Sequence, residues 1–339
     1  MHNILVTGAA GSIGHHVIRS LSQRECKVIV IDNLSNANSG FLNQVKTALQ
    51  TSHMSRSNFV RLNGIGNNVS IYIEDIRNKE AVVDIFKRED IGTCVHLAAK
   101  EGVLESVRNP GDTIDVNIKG TFNILEACSL ANVENFIFAS SSAVYGQSKT
   151  VPISEDHILN PMSPYGAGKI AGEALVSSFK NTGKIKNAIS LRIFNVFGEG
   201  VRLTNEGVIR KFAGRLSANL PPIIFGDGSQ IRDFISVDSV VRAILAAVDH
   251  MRTASSDVLA INVGTGKATT IIELAGMMIR TFGLSCQPSF SEPRPGDIRY
   301  SSSNTDRMRS VLGFVPDDEL ELYLRSLPAI NYHTMKEGN

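Results

Sequence analysis

The residues best suited to chemistry are a tyrosine and a lysine four positions apart, Tyr165 and Lys169, in the run Y-G-A-G-K. On a helix, positions i and i+4 share a face, so this spacing sets the lysine ammonium beside the phenol. A neighbouring cation favours phenolate and draws the tyrosine pKa down from its usual value of about 10. Tyr165 then becomes a general base able to take the proton of an alcohol. The hydroxyls of Ser140, Ser141 and Ser142 precede it at what reads as a strand end. Ser141 could hydrogen-bond the reacting oxygen as it passes from alkoxide to ketone. Tyr145, nearby, has no lysine four residues on and reads as packing or a substrate contact.

Such chemistry needs a hydride acceptor, and the N-terminal stretch is built to hold one. Asn3–Thr7 is a short apolar run that reads as a buried strand, and Gly8, Gly11 and Gly14 follow it. His15–Arg24 continues with Val17, Ile18 and Leu21 at helical spacing, and Lys27–Ile31 is a second β-branched run that stops at Asp32. Strand, glycine turn, helix, strand and acid are the parts of a dinucleotide-binding unit. Glycine lets the backbone approach a pyrophosphate, whose charge faces the helix N-terminus. Asp32 would accept hydrogen bonds from the adenosine ribose and repel a 2′-phosphate, which favours NAD over NADP. The positive nicotinamide ring would join Lys169 in stabilising phenolate.

The elements that must position these groups follow in order. Helices are expected at Gly40–Gln50, Lys79–Glu89, Thr113–Ala131 and Ser163–Phe179, and strands at Ser70–Glu74, Thr93–Ala98, Asn135–Ala139 and Ala188–Phe194, with a loop at 51–58. Ile114, Ile118, Phe122 and Leu125 share one face of the third helix, which is broken only by Gly120. Alternating strands and helices imply a doubly wound parallel sheet of the Rossmann type, whose ligands sit at the carboxyl ends of the strands. The glycine turn, the Asp75-Ile76 pair, Ala98 and Ala99, and Ser140–Ser142 all fall there. Beyond Asn195 the rhythm changes: a loop at 198–205, a helix at 206–218 stopped by Pro221-Pro222, and short strands at Ile223–Phe225 and Arg232–Ile235. A helix at Val237–Val248 and a strand at 258–263 are expected to return to the main sheet. Helices at Thr270–Phe282 and Asn304–Gly313 flank a loop at 288–298, and the tail after Pro328 is expected to fray. The expected division is a dinucleotide-binding domain at 1–195 with 236–263, and a smaller mixed substrate cap at 196–235 and 264–330.

Composition excludes several classes. With 34 basic and 33 acidic residues and no basic cluster, neither nucleic acid nor a membrane surface is an expected partner. The four cysteines, Cys26, Cys94, Cys128 and Cys286, form no C-x-x-C pair and read as buried free thiols of a reducing cytoplasm. The first strand begins at residue 3, which leaves no room for a leader, and no metal-ligand spacing stands out.

Together G-A-A-G-S-I-G, D-N-L, D-I-R, H-L-A-A, N-I-K-G-T, S-S-S-A-V-Y-G, S-P-Y-G-A-G-K, L-R-I-F-N-V-F-G, R-D-F-I and R-P-G-D resemble the extended short-chain dehydrogenases of the nucleotide-sugar epimerase/dehydratase family over nearly the whole chain. Within it the chain is most similar to the UDP-hexose 4-epimerases. The resemblance implies NAD held by Asp32, Asn33, Asp75, Ile76, Asn117 and Lys169, with Gly8, Gly11, Ser12, Ile13, Gly14, Ala98, Ala99, Ser140, Tyr165 and Phe194 completing the cofactor set. It assigns Asn195, Arg232, Arg294 and Asp297 to the nucleotide diphosphate and its ribose, and Ser141, Ser142, Tyr165, Phe225 and Ser301 complete the substrate set. Two arginines on a cap can neutralise a pyrophosphate through forked hydrogen bonds. A homodimer through the helices at Thr113–Ala131 and Ser163–Phe179 is implied in the same way.

Within the family one position separates chemistries. Dehydratases carry Asp-Glu before V-Y-G, and decarboxylases a Glu; this chain has Ser142-Ala143 and no carboxylic acid to expel a hydroxyl. Epimerisation between UDP-glucose and UDP-galactose, or the N-acetyl pair, is therefore the leading expectation. A UDP-glucuronate 4-epimerase, a reductase or dehydrogenase with net redox, and a non-catalytic NAD sensor are the alternatives. Lys100-Glu101 departs from the pattern of galactose epimerases, where a lysine falls one position later. In the family the residue seven places after the arginine of R-P-G-D borders the sugar C2 substituent; that count reaches Ser301, and a loop shifted by one residue would put Tyr300 there instead.

Overall fold

The computed structural model describes residues 3–37, 39–51, 59–61, 68–200, 207–253, 260–294 and 296–329. The chain runs β1 (Asn3–Thr7), α1 (Gly14–Leu21), β2 (Val28–Asp32), α2 (Ser39–Thr51), β3 (Phe59–Arg61), β4 (Val69–Ile73), α3 (Lys79–Arg88) and β5 (Ile91–His96). Helices α4 (Val103–Arg108) and α5 (Pro110–Ile114), a π-helical turn (Asp115–Gly120) and α6 (Thr121–Leu130) lead to β6 (Asn135–Ser141), α7 (Pro164–Asn181) and β7 (Asn187–Ile193). The remainder comprises β8 (Asn195–Phe197), α8 (Val208–Ser217), β9 (Ile223–Phe225), β10 (Ile231–Arg232), β11 (Phe234–Ser236), α9 (Val237–Thr253) and β12 (Ala260–Val263). It closes with β13 (Thr269–Thr270), α10 (Ile271–Thr281), β14 (Ser289–Ser291), β15 (Tyr300–Ser301), α11 (Asp306–Leu312) and α12 (Leu320–Ser326).

Eight strands form the main sheet in the order β12-β7-β6-β5-β1-β2-β4-β3, all parallel except β3, which runs antiparallel to β4 at the edge. The fully buried run of β2, V-I-V-I-D, is what a strand covered by helices on both faces must be. Val6, Val30 and Ile189 pack with α1 and α9 on one face, and Leu5, Ile29 and Phe136 with α3, α6 and α7 on the other. The order reverses between β1 and β5, and the glycine turn at the carboxyl end of β1 lies against Ala98, just beyond the carboxyl end of β5. A separate core of Phe212, Ile224, Phe234, Leu274 and Leu324 lies under the later elements. There, β10 is sandwiched between β13 and β15 in a three-stranded sheet.

Several expectations are corrected. The segment after α2 includes a short edge strand, β3, too brief to show alternation. The helix expected at Thr113–Ala131 starts earlier, at Pro110, and its middle is a π turn ending at Gly120, against which the Ile76 side chain packs. α11 is not the last helix: α12 follows and buries Leu320 and Leu324 in the cap core. Cys94 and Cys128 are buried thiols, but Cys26 and Cys286 are only half-buried. Of the expected loops and ends, 52–58, 201–206, 258–259 and the tail beyond 329 lie outside the described residues.

Candidate active site

The glycine turn joins β1 to α1 without room for side chains. Gly8 has φ 71°, and a Cβ there would lie 2.6 Å from the Ala98 backbone nitrogen; a Cβ on Gly14 would lie 2.2 Å from the Gly8 carbonyl oxygen. At the end of β2, the Asp32 carboxylate accepts from the backbone N–H groups of Ala10 (2.8 Å) and Leu34 (2.7 Å), while burial pushes its pKa up. These bonds fix the carboxylate beside the turn and leave further lone pairs for ribose hydroxyls. Asn33 donates to Asp75 (2.9 Å), and Arg77 grips the same carboxylate through Nε (2.9 Å) and Nη2 (2.8 Å), holding it well below the usual carboxylate range. The cradle, the buried acid and the adjacent apolar Ile76 fit an adenine dinucleotide.

A buried relay holds the other wall. The Ala98 N–H donates to Thr7 Oγ1 (3.1 Å), which meets His96 Nδ1 (2.7 Å); His96 Nε2 meets Thr121 Oγ1 (3.0 Å), and that hydroxyl donates to the Asn117 carbonyl (2.7 Å). One direction of donation satisfies every member when His96 is neutral with its proton on Nε2. Burial first, and the Lys169 charge second, lower the His96 pKa from 6.5 to about 3. With the folded pKa below the unfolded one, this stability is present above about pH 6.5 and is lost as pH falls towards 3, by at most about 1.4 kcal/mol per unit. The melting temperature is therefore expected to fall across that window, and a folded His96→Leu variant should show a flatter pH dependence. Parallel curves for the two proteins would assign the acid loss to other groups.

The Ser–Tyr–Lys set assembles as its spacing predicts, with one electrostatic difference. Ser163 caps α7 by accepting from the Gly166 N–H (3.2 Å), which starts the helix one residue before Tyr165. Lys169 donates to the Ala139 carbonyl at the end of β6 (2.7 Å) and lies over the Tyr165 ring at 5.7 Å from its centre. Burial lowers the lysine pKa to about 8 against the pull of Glu101 and Glu173. Burial also pushes the Tyr165 phenol up to about 12; the Ser141 hydrogen bond opposes this and Glu101 adds to it. In the protein alone, desolvation thus outweighs the expected lowering by Lys169.

At the far end of the cleft, Arg232 donates to the Asp297 carboxylate (2.7 Å) and to the Ile298 carbonyl (2.6 Å). Arg294 stacks its guanidinium 3.7 Å from the centre of the Phe225 ring. Parallel pairing of β10 with β15 sets Ser301 opposite Arg232 and Tyr300 opposite Ile231. Ser301 is the one that lines the cavity wall. A residue not singled out from sequence organises this end: Asp233, wholly buried, accepts from the N–H groups of Thr265, Gly266 and Ser303 and from two hydroxyls. An acid inside the β run R-D-F-I was the available signal. Tyr145 is packing: its hydroxyl donates to Asn262 (2.6 Å) and accepts from Arg192 (3.0 Å).

One cavity of about 740 Å³ connects the two ends. Every candidate named from sequence lines it except Asn117, which is buried behind the wall with its amide on the Lys100 backbone (2.7 and 3.0 Å). Glu101, Lys211 and Gln230 join the wall without having been given roles from sequence. No cluster of three metal-ligating side chains exists among the described residues.

A doubly wound sheet with a dinucleotide cradle and a Ser–Tyr–Lys set at its carboxyl edge defines the short-chain dehydrogenase class. The chain belongs to the NAD dependent epimerase/dehydratase family, which matches it over residues 4–264. It is 33% identical over 314 residues to a UDP-glucose 4-epimerase of Mycolicibacterium smegmatis, covering 92% of this chain and 93% of that one. A UDP-glucose 4-epimerase of Thermotoga maritima, solved with UDP-glucose, superposes with a TM-score of 0.83 at 32% identity, over 98% of this chain and 100% of that one. A UDP-N-acetylglucosamine 4-epimerase of Methanobrevibacter ruminantium M1, solved with UDP-N-acetylmuramic acid, gives 0.81 at 31% identity over 97% of each.

Proposed function

We propose that the protein is an NAD-dependent UDP-hexose 4-epimerase acting through a transient 4-keto sugar. The observation that carries this is a single cavity holding Ser141, Tyr165 and Lys169 between the dinucleotide cradle and the arginine-bearing end, with Ser142-Ala143 where elimination would need carboxyl groups. NAD, when bound in the cradle of Gly8, Gly11, Gly14 and Asp32, would supply the acceptor for the C4 hydride and the donor that returns it to the opposite face of the sugar. Tyr165 takes the proton of the 4-hydroxyl and gives it back, Ser141 hydrogen-bonds the same oxygen, and Lys169 favours the phenolate. Arg232 and Arg294 hold the diphosphate while the keto sugar turns about its link. The NAD-loaded protein given UDP-galactose should form UDP-glucose, read by chromatography, with no net change at about 340 nm, where reduced nicotinamide absorbs. Stoichiometric NADH accumulation would instead identify a dehydrogenase.

The cap division at 196–235 and 264–330 is part of this reading; the pairing of β12 with β7 supports the return of 236–263 to the main sheet. Exposed Val107, Ile114 and Phe122 on α4–α6 support a homodimer through that face. Four free thiols support a cytoplasmic location; no helix among the described residues is long and apolar enough to cross a membrane.

Ser301 gives the sugar prediction. A small, buried residue at the wall leaves room for a C2 acetamido group, so UDP-N-acetylglucosamine and UDP-N-acetylgalactosamine are expected to interconvert alongside the unacetylated pair. Ser301→Tyr overfills that space and should abolish turnover of the acetylated sugars while sparing UDP-galactose. A substrate panel showing no acetylated turnover in the parent, or an unchanged preference in the variant, contradicts this.

A further inference from the structure

Three consecutive residues at the end of β6 bond to three residues of α7 spaced four apart. The Ser141 hydroxyl meets Tyr165, the Ala139 carbonyl accepts from Lys169 (2.7 Å), and the Ser140 hydroxyl donates to Glu173 (2.5 Å). The first two rungs involve the reacting groups. The third lies outside them, yet it is the most heavily braced. Arg192 on β7 forks onto Glu173 through Nε (3.0 Å) and Nη2 (2.7 Å), with side chains only 6% and 10% exposed. Its Nη1 donates to the Tyr145 hydroxyl (3.0 Å) and the Glu155 carbonyl (2.8 Å), and Tyr145 continues to Asn262 on β12. A buried ion pair contributes little net stability against well-packed apolar residues. What this one supplies is a fixed position for the strand end beneath the Tyr165 and Lys169 contacts.

We infer that Glu173 is a positioning residue of the reaction: with Arg192 behind it, its carboxylate anchors Ser140 and so sets the neighbouring Ala139 carbonyl and Ser141 hydroxyl against Lys169 and Tyr165. This rests on the proposed epimerase reading. Displacement of a reacting group by about 1 Å can cost about 10²-fold in rate, so a loose strand end lowers kcat rather than substrate affinity. Glu173 also acts through charge. Lys169 faces Tyr165 and Glu173 from its own helix, Glu101 from the loop after β5, and His96 from β5. The two carboxylates raise its pKa, so losing Glu173 should lower it.

The test uses the full-length, NAD-loaded protein. Glu173→Ala is expected to lower kcat about tenfold or more with KM for the UDP-sugar within about twofold, and Glu173→Gln, which keeps an acceptor for Ser140, to recover most of that loss. The Lys169 titration midpoint, followed by ¹³Cε NMR in labelled protein, should fall by about half a unit or more in both variants. Parental kcat in Glu173→Ala, or a loss of kcat with an unshifted Lys169 titration, overturns the inference. If Glu173→Ala does not fold, Ser140→Ala, assayed at saturating NAD because Ser140 also lines the cofactor site, decides: a fall in kcat of about fivefold or more supports it, and parental kcat overturns it. If the parent itself fails to epimerise UDP-galactose, the proposed function falls. The difference in Lys169 midpoint between Glu173→Ala and Glu173→Gln, which lose the same charge but differ in the Ser140 anchor, then judges the positioning role: distinct midpoints support it and equal ones overturn it.

Discussion

Tyr165→Phe is expected to lower kcat by about 10²–10⁴-fold while NAD affinity stays within about twofold of the parent. The substitution keeps the ring beneath Lys169 and removes the oxygen that shares a hydrogen bond with Ser141. The size of the effect is that of removing a positioned general base, for which water reaching the same place is a poor substitute. The cofactor cradle lies on β1, β2 and the turn between them, so its geometry does not depend on the phenol oxygen. Turnover within about threefold of the parent would remove Tyr165 from the mechanism. A variant that also lost NAD would show that the ring, not the proton, had been disturbed.

What the sequence disclosed here is governed by range. Gly14 and Asp32 announce themselves because their contacts are formed within one strand–helix–strand unit, whereas Gly8 also meets the distant Ala98 backbone. Tyr165 and Lys169 do so because both sit on one helix. His96 and Asp233 were silent, since their partners come from elements distant in sequence: Thr7 and Thr121 for the first, Thr265 and Ser303 for the second. No local spacing encodes such meetings. The surroundings of Tyr165 are likewise only partly local. Proximity to Lys169 is written in the helical repeat, but the depth of burial, the diversion of the ammonium to the Ala139 carbonyl and the approach of Glu101 are tertiary facts. The register at Tyr300 and Ser301 was a matter of one residue in a loop, and it is pairing with β10, distant in sequence, that sets Ser301 opposite Arg232. Short pieces such as β3 and α12 offer too few residues for periodicity to rise above chance.

Arg232→Ala is expected to weaken UDP-sugar binding by about 2–4 kcal/mol, some 30- to 1000-fold, because a charge-assisted contact to a partly buried diphosphate is lost. Arg232 is well placed for that role: its side chain is 15% exposed, it lines the cavity, and Asp297 and the Ile298 carbonyl hold its Nη groups. Those bonds leave the guanidinium oriented rather than swinging, so little rotamer freedom is lost on binding. They also carry a complication, since Ala leaves Asp297 with only the Gln230 amide (3.4 Å) as a side-chain partner. Arg232→Lys separates the two effects. A lysine retains the charge near the phosphates but not the planar fork, and should recover only part of the affinity. NAD binding is expected to stay within about twofold in both variants, because the cradle between β1 and β2 shares no bond with β10. Calorimetry with UDP and with NAD, run separately, reads both quantities. A loss of NAD affinity with UDP unaffected would move the diphosphate site away from Arg232, and the placing of the nucleotide on the cap would go with it.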